Sequence, residues 1–390
     1  MDQRIEFALK SLTTTNFQAL CREYSISRKT GYKWKERFLE HGLAGAQEQS
    51  RRPLSNAREL SESVVCELIR FKQRHPTWGP EKIHCLYERA HSEQAKESLP
   101  SLSSVKRVLD RAGLVEKRKV RRAAQGGRIH SGREAEKPND VWTIDFKGWW
   151  RDPKGEKCEP LTVRDEFTRY VLALQRTANG RTETVRSSFE ALFERHGLPG
   201  AIRSDNGPPF ASITGVLGLS RLSAWWVALG IDLERSRPGC PQDNGAHERM
   251  HLDIENELAG MKSDQASFDV WRRIFNEERP HKALGNRFPS ELYQNSPRAY
   301  AGAPADLEYE GMETRRIPAS GILTWHNRHV FVSQAIAGWS VGIKPAGERL
   351  EIYFANLCLG HLEPATASFI RADVGPNETG GTVTPTVTQT

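Results

Sequence analysis

The sequence predicts a multidomain chain: an all-α front, an α/β core on a mixed five-stranded sheet, and a small β-barrel at the rear. Three observations carry this. At 390 residues the chain exceeds the ~250–300 residues at which single cores stop growing. Apolar residues recur at helical spacing through the front third and alternate in strand fashion from Val141 onward. Charge is uneven as well. Residues 1–137 hold 28 Lys and Arg against 17 Asp and Glu, within a net charge of +7, so the remainder is mildly acidic. A basic front on an acidic rear suits a polyanion-binding arm joined to a domain with other work; the plainer reading is a solvated basic surface.

The composition, 37% hydrophobic and 27% charged, suits a soluble globular protein. No apolar run approaches the ~20 residues of a membrane span and no signal peptide opens the chain, so no membrane partner is expected. Six cysteines without a C-x-x-C pair read as reduced intracellular thiols, neither a disulfide framework nor a zinc ribbon.

The first unit is expected over residues 1–55. Residues 14–42 read as helix, tight turn, helix: Phe17, Leu20 and Cys21 form an apolar stripe, and Ser25-Ile26-Ser27 breaks it. Ser27 suits the N-cap of a second helix carrying Tyr32, Trp34, Phe38 and Leu39. Arg28, Lys29, Thr30 and Lys33 crowd its first turns, where the recognition helix of a helix-turn-helix meets DNA. An ordinary basic helical hairpin is the alternative. A second helical DNA-binding unit is expected over residues 56–114. One helix stops at Pro76, one starts at Pro80, and a third, with Lys106 and Arg107 as candidate DNA contacts, starts at a serine cap and ends at Gly113. His75, His84, Cys85 and His91 match no common zinc spacing and read as core or surface. Residues 115–137 read as a basic linker. There Lys117, Arg118, Lys119, Arg121 and Arg122 suit a chain that follows a DNA backbone, or one that is merely solvated.

The core is expected over residues 138–300. "VWTIDFKGWW" alternates like a strand, and "CEPLTVRDEFTRYVLALQR" supplies two more. An amphipathic helix closed by Gly197 follows, then the strand "AIRSD", a loop and helix through "PPFASITGVLGLSRLSAWWVALG", a short strand, and a helix from about Asn244. That order describes a ribonuclease-H-like α/β fold. Asp145 sits inside the first strand between Ile144 and Phe146, where an acid is costly unless used or paired. Asp205 closes a strand before a turn-forming Asn-Gly, and Glu248 stands in the first turn of the last helix, on one face with Leu252 and Glu255. Singly, each acid has a plain structural reading. Converging at strand ends, the three would form a hard-oxygen set for two Mg²⁺ or Mn²⁺ ions serving phosphoryl transfer.

The motifs "PNDVWTIDFKG", "RSDNGPPF", "RPGCPQDNGAHER" and "NEERPHKALGNRFPSELY", with "LCREYSISRKTGYKW" in front, resemble the integrase-type D-D-E transposases of bacterial insertion sequences. The resemblance covers most of the chain. It implies that Asp145, Asp205 and Glu248 are the catalytic, metal-binding acids. It further implies a homo-oligomer that binds terminal inverted repeats and target DNA and carries out strand cleavage and strand transfer in the bacterial cytoplasm, associated with the nucleoid. Two departures stand out: the interval from Asp205 to Glu248 is longer than is common in that superfamily, and no retroviral-type zinc module is present. The rival readings are a catalytically retired, transposase-derived DNA-binding protein and a nuclease for RNA–DNA hybrids. At the rear, residues 310–365 alternate in short runs and are similar to the SH3-like barrel of integrases, and residues 366–390 read as a disordered tail.

Overall fold

The computed structural model describes residues 3–47, 60–93, 99–116, 132–177 (without 147, 149, 152, 153 and 156), 182–237, 245–258, 264–302 and 306–372. The chain divides into two compact units, Met1–Glu62 and Ser63–Thr390.

The first unit packs α1 (Gln3–Thr13), α2 (Phe17–Glu23) and α3 (Arg28–His41) around Phe7, Leu20 and Cys21. Asn16 caps α2, accepting from the Ala19 amide, and Ser27 caps α3, accepting from the Thr30 amide at 3.1 Å. Ser25 takes the positive φ of 54° that makes the turn tight. Gly31 lets α3 approach: a Cβ there would lie 2.7 Å from Cys21 Sγ and 3.0 Å from the Phe7 ring. An additional helix, α1, completes the core in front of the pair. Along α3, Tyr32 and Leu39 are exposed, because the helix buries itself at Gly31 instead.

The second unit opens with α4 (Glu62–Arg74), α5 (Pro80–Ala90) and α6 (Leu102–Arg111), joined through Leu68, Ile83, Val105 and Leu109, all fully buried. Pro80 sits at the first helical position of α5, where its missing N–H costs nothing. The sheet of the core follows: β1 (Val141–Phe146), a short hairpin of β2 (Trp150–Arg151) and β3 (Lys157–Cys158), then β4 (Leu161–Asp165) and β5 (Val171–Gln175). Next come α7 (Thr182–His196), β6 (Ala201–Ser204), α8 (Arg221–Ala228), β7 (Asp232–Arg235), α9 (Gly245–Leu258) and α10 (Gln265–Glu277). Strand order is β5-β4-β1-β6-β7, antiparallel through β5, β4 and β1 and parallel through β1, β6 and β7. Trp142, Ile144 and Val163 pack with Phe189, Phe193, Trp225 and Trp226 of α7 and α8. Val171 and Leu174 pack with Met250, Ile254, Phe268 and Trp271 of α9 and α10.

Edge strand β5 is covered by side chains of α10. Asn276 accepts from the Val171 amide at 2.8 Å and donates to its carbonyl at 2.9 Å, while Gln265 donates to the Leu174 carbonyl and accepts from the Arg176 amide, both at 3.0 Å. The helices α4–α6 are bound to the back of this layer. Thr77 donates to Glu257 at 2.6 Å, Arg89 pairs with Glu291, and the Arg89 guanidinium lies 3.8 Å from the Phe288 ring centre. Arg133, inside the expected linker, is held too: it pairs with Asp232 at 2.6 Å, and its carbonyl accepts from Arg203, which is buried against Glu234.

The rear contains β8 (Glu313–Arg316), a hairpin of β9 (Ile322–Trp325) and β10 (Arg328–Phe331), then β11 (Ser340–Ala346), β12 (Arg349–Phe354), β13 (Leu357–Glu363) and β14 (Ser368–Arg371). These make an antiparallel sheet in the order β14-β13-β12-β11-β8 and a separate two-stranded hairpin, sharing a core of Leu323, Val330, Ile343, Ile352 and Leu359. The expected barrel is therefore not closed. The edges differ in character: β8 reads Glu-Thr-Arg-Arg and is exposed throughout, so it offers no apolar face to complete a ring. Strand β14 lies inside the expected tail; Phe369 and Ile370 give it enough apolar surface to pair with β13. Among the described residues no helix is long and apolar enough to cross a membrane.

Candidate active site at the carboxyl ends of β1 and β6

Strands β1 and β6 run parallel with Val141 opposite Ala201, Trp142 opposite Ile202 and Thr143 opposite Arg203. Asp145 lies two residues beyond the last of these pairs on β1, and Asp205 directly follows the end of β6. Both lie where open α/β sheets receive their ligands. Asp145 is partly buried, with 31% of its side chain exposed, and Asp205 is exposed. The turn after Asp205 is tied to the end of β7. Arg235 donates to Ser204 Oγ at 2.6 Å and to the Phe210 carbonyl at 2.9 Å, and Asn206 donates to the Ser236 carbonyl at 2.7 Å. Burial pulls the Arg235 guanidinium down to about 10, and the Asp205 carboxylate opposes that fall, so Arg235 keeps its charge at neutral pH.

Helix α9 turns His247, His251 and Ile254 toward the sheet and leaves Glu248 exposed in its first turn. His247 is fully buried. Its Nδ1 lies 2.9 Å from Thr143 Oγ of β1 and its Nε2 lies 2.7 Å from Thr162 Oγ of β4. His251 Nε2 lies 2.8 Å from the same Thr162 oxygen, and its Nδ1 is 4.0 Å from Asp145 Oδ2. Burial holds His247 well below its usual value, with His251 and Arg164 adding to the effect, so its ring is neutral. Sequence reasoning missed Thr143, Thr162, His247, His251 and Arg235. Only "HERMH", with histidines four apart on one helical face, hinted at them.

Asp145 and Asp205 stand near the ends of adjacent strands, but the described residues contain no group of three or more His, Cys, Asp or Glu side chains placed to hold a metal ion, so Glu248 does not join them in one cluster. Three carboxylates drawn together without a cation repel one another, and α9 spends its buried face on the histidines. The donor chemistry still fits a hard divalent cation, since carboxylate oxygens at two adjacent strand ends are what Mg²⁺ or Mn²⁺ prefers. The loop before α9, residues 238–244, lies outside the described residues.

Of the residues expected to touch DNA, Arg28, Lys29 and Lys33 are exposed at the start of α3, with Lys33 Nζ 5.6 Å from the Trp34 ring centre. Thr30 is engaged in the cap, its hydroxyl 2.8 Å from Ser27 Oγ. Lys106 and Arg107 are exposed on α6, Arg107 folding back to donate to Ser104 Oγ at 3.2 Å. Lys117, Arg118, Lys119, Arg121 and Arg122 lie outside the described residues.

The Integrase core domain family matches residues 135–241, and a second family of the same description matches residues 229–289. A Helix-turn-helix domain matches residues 3–53 and a Homeodomain-like domain residues 30–109. The "Insertion element IS407 uncharacterized 31.7 kDa protein" of Burkholderia multivorans is 28% identical over 260 residues, 64% of this chain and 86% of that protein. An IS476 counterpart from Xanthomonas euvesicatoria is 28% identical over 283 residues, 66% of this chain and 75% of that protein. The "Transposase for transposon Tn552" of Staphylococcus aureus is 21% identical over 339 residues, 81% of this chain and 64% of that protein. By its integrase core domain, its helix-turn-helix domains and its insertion-element relatives, this chain is similar to the integrase-type transposases of bacterial insertion sequences.

Proposed function

We propose that the protein binds the terminal repeats of a mobile DNA element and catalyses metal-dependent strand cleavage and strand transfer, with Asp145, Asp205 and Glu248 as the catalytic acids. The observation that supports this reading is that Asp145 and Asp205 stand near the carboxyl ends of the paired parallel strands β1 and β6 in a chain that matches an integrase core domain. In the reaction, water cleaves a phosphodiester bond at the element end. The 3′ hydroxyl so freed attacks a phosphodiester of the target, displacing its 3′ oxygen, with no covalent link to the enzyme. The three carboxylates would hold Mg²⁺ or Mn²⁺, two ions in the full site, and the metal would supply activation of the attacking oxygen and stabilisation of the leaving one. Arg235 and Asn206 hold the Asp205 turn in place, and burial of α9 against the sheet keeps water from the histidines behind Asp145.

The working division is two DNA-binding helical units at 1–55 and 56–114, a basic linker to about 137, the catalytic core at 138–300, the β module at 310–365 and a tail beyond it. The helical units grip the element ends through α3 and α6, the basic linker follows the backbone, and copies of the chain assemble on DNA in the bacterial cytoplasm. The test is a strand-transfer assay with the DNA that flanks the gene. Wild-type chain is expected to nick and join it in Mg²⁺, and Asp145→Asn, Asp205→Asn and Glu248→Gln are each expected to abolish both steps while keeping end binding. Specific binding with no strand transfer by the wild-type chain would overturn the catalytic reading and leave a DNA-binding protein.

A further inference from the structure

The Thr162 hydroxyl has one hydrogen and two lone pairs, and three partners: the Asp145 carbonyl at 2.8 Å, His247 Nε2 at 2.7 Å and His251 Nε2 at 2.8 Å. A carbonyl only accepts, so the Thr162 hydrogen goes to Asp145, and both histidines donate through Nε2. The Thr143 hydroxyl lies 2.9 Å from His247 Nδ1 and 3.3 Å from the Arg164 carbonyl, so its one hydrogen is shared between two acceptors. The cluster is dry: Thr143, Thr162 and His247 are all fully buried, in a layer where a missing partner is expensive. His247 and His251 bracket Glu248 on α9, and Asp145 is the residue opposite Thr162 in the β1–β4 ladder.

We propose that Thr162 is a positioning residue that sets the spacing between Asp145 on β1 and Glu248 on α9, and with it the affinity of the acid site for its divalent cation. One side chain of β4 fastens the strand backbone of the first acid to both helical neighbours of the third. Thr162 touches neither substrate nor ion; it acts through the elements it joins. The inference rests on the proposed assignment of the acids, and partners of this kind typically change metal affinity 10–100-fold when removed.

The test is Mn²⁺ binding by the full chain without DNA, followed by the electron paramagnetic resonance of free Mn²⁺, with melting temperature measured in parallel. Thr162→Val keeps the shape and removes the hydroxyl; it is expected to weaken Mn²⁺ binding 10–100-fold. Thr162→Ser restores the hydroxyl and is expected to bind as the wild type does. Wild-type affinity in Thr162→Val, or equal weakness in Thr162→Ser, would overturn the proposal. So would affinities that merely follow melting temperature across the set. If Thr162→Val does not fold, His251→Leu cuts one link at a site with 11% of the side chain exposed, and unchanged affinity there overturns the proposal equally. Asp145→Asn separates the two readings. If the wild-type chain binds no Mn²⁺ in an Asp145-dependent way, the assignment of the acids fails, and this inference falls with it.

Discussion

Arg235 reaches from the end of β7 to the Phe210 carbonyl and thereby closes the turn that begins at Asp205. The same guanidinium serves Ser204, and no lysine can reproduce a two-pronged contact to two different loop atoms. Arg235→Lys is expected to fold, to lose roughly 1–3 kcal/mol in urea denaturation, and to nick DNA at least tenfold more slowly, since misplacement of a reacting group by about 1 Å costs on the order of 100-fold. Unchanged nicking in that variant would show that the Asp205 turn holds itself.

Asn276 stands where a sixth strand would pair with β5. Asn276→Leu leaves the amide and carbonyl of Val171 without partners in a buried place, at about 1–3 kcal/mol for each group. It also bares a strand edge, so concentration-dependent aggregation should accompany the loss of stability. Denaturation monitored with light scattering checks both; a monodisperse, equally stable variant would contradict the role of the amide.

Buried histidines set the acid limit. Burial lowers His196 to about 4 and His281 to about 3, against about 6.5 in an unfolded chain. Below pH 6.5 the unfolded chain therefore takes up protons that the folded chain refuses, and stability falls as pH drops from 6.5 toward 4. Above 6.5 neither form is charged and the contribution is complete. The urea midpoint should drop between pH 7 and pH 5, and His196→Gln should flatten part of that slope. A midpoint constant across the interval would refute the argument.

The basic start of α3 separates base reading from phosphate contact. Arg28→Ala is expected to lose roughly 1–3 kcal/mol on the cognate element end and to relax specificity there, as removal of a guanine contact does. Lys33→Ala, whose ammonium lies over the Trp34 ring, is expected to weaken all DNA evenly and to reduce the salt slope by about one. Binding of both variants to element ends and random DNA across a salt series decides; identical behaviour of the two would remove the distinction.

Much of the core was legible because its signals are local. Alternation around Asp145, the stop at Asp205-Asn206-Gly207 and the helix from about residue 244 each depend on neighbours in sequence, and β1, β6 and α9 lie where those patterns place them. Contacts across the fold were not. Thr162 and His247 stand 85 positions apart, and their pairing exists only once β4 lies under α9. The packing of α3 was not legible either: Tyr32 and Leu39 remain in solvent, while Gly31, carrying no hydrophobic signal, packs against Cys21 and Phe7. The barrel failed on its edge: strand-like alternation shows that β8 and β14 pair with a neighbour, and says nothing about whether they pair with each other.

The helices α4–α6 are fastened to the catalytic layer by Thr77, Arg89 and Trp78, the last with the Arg279 guanidinium 5.7 Å from its ring centre. On the proposed function this would make the helical layer α4–α6 a caliper. A duplex gripped by α6 has its cleavage point gauged by the fixed reach from that helix to the ends of β1 and β6. Since B-DNA turns once in about 10–10.5 base pairs, a site displaced by half a turn would bring the wrong strand to the acids. Length along the DNA, and not sequence alone, would then be a quantity this chain measures.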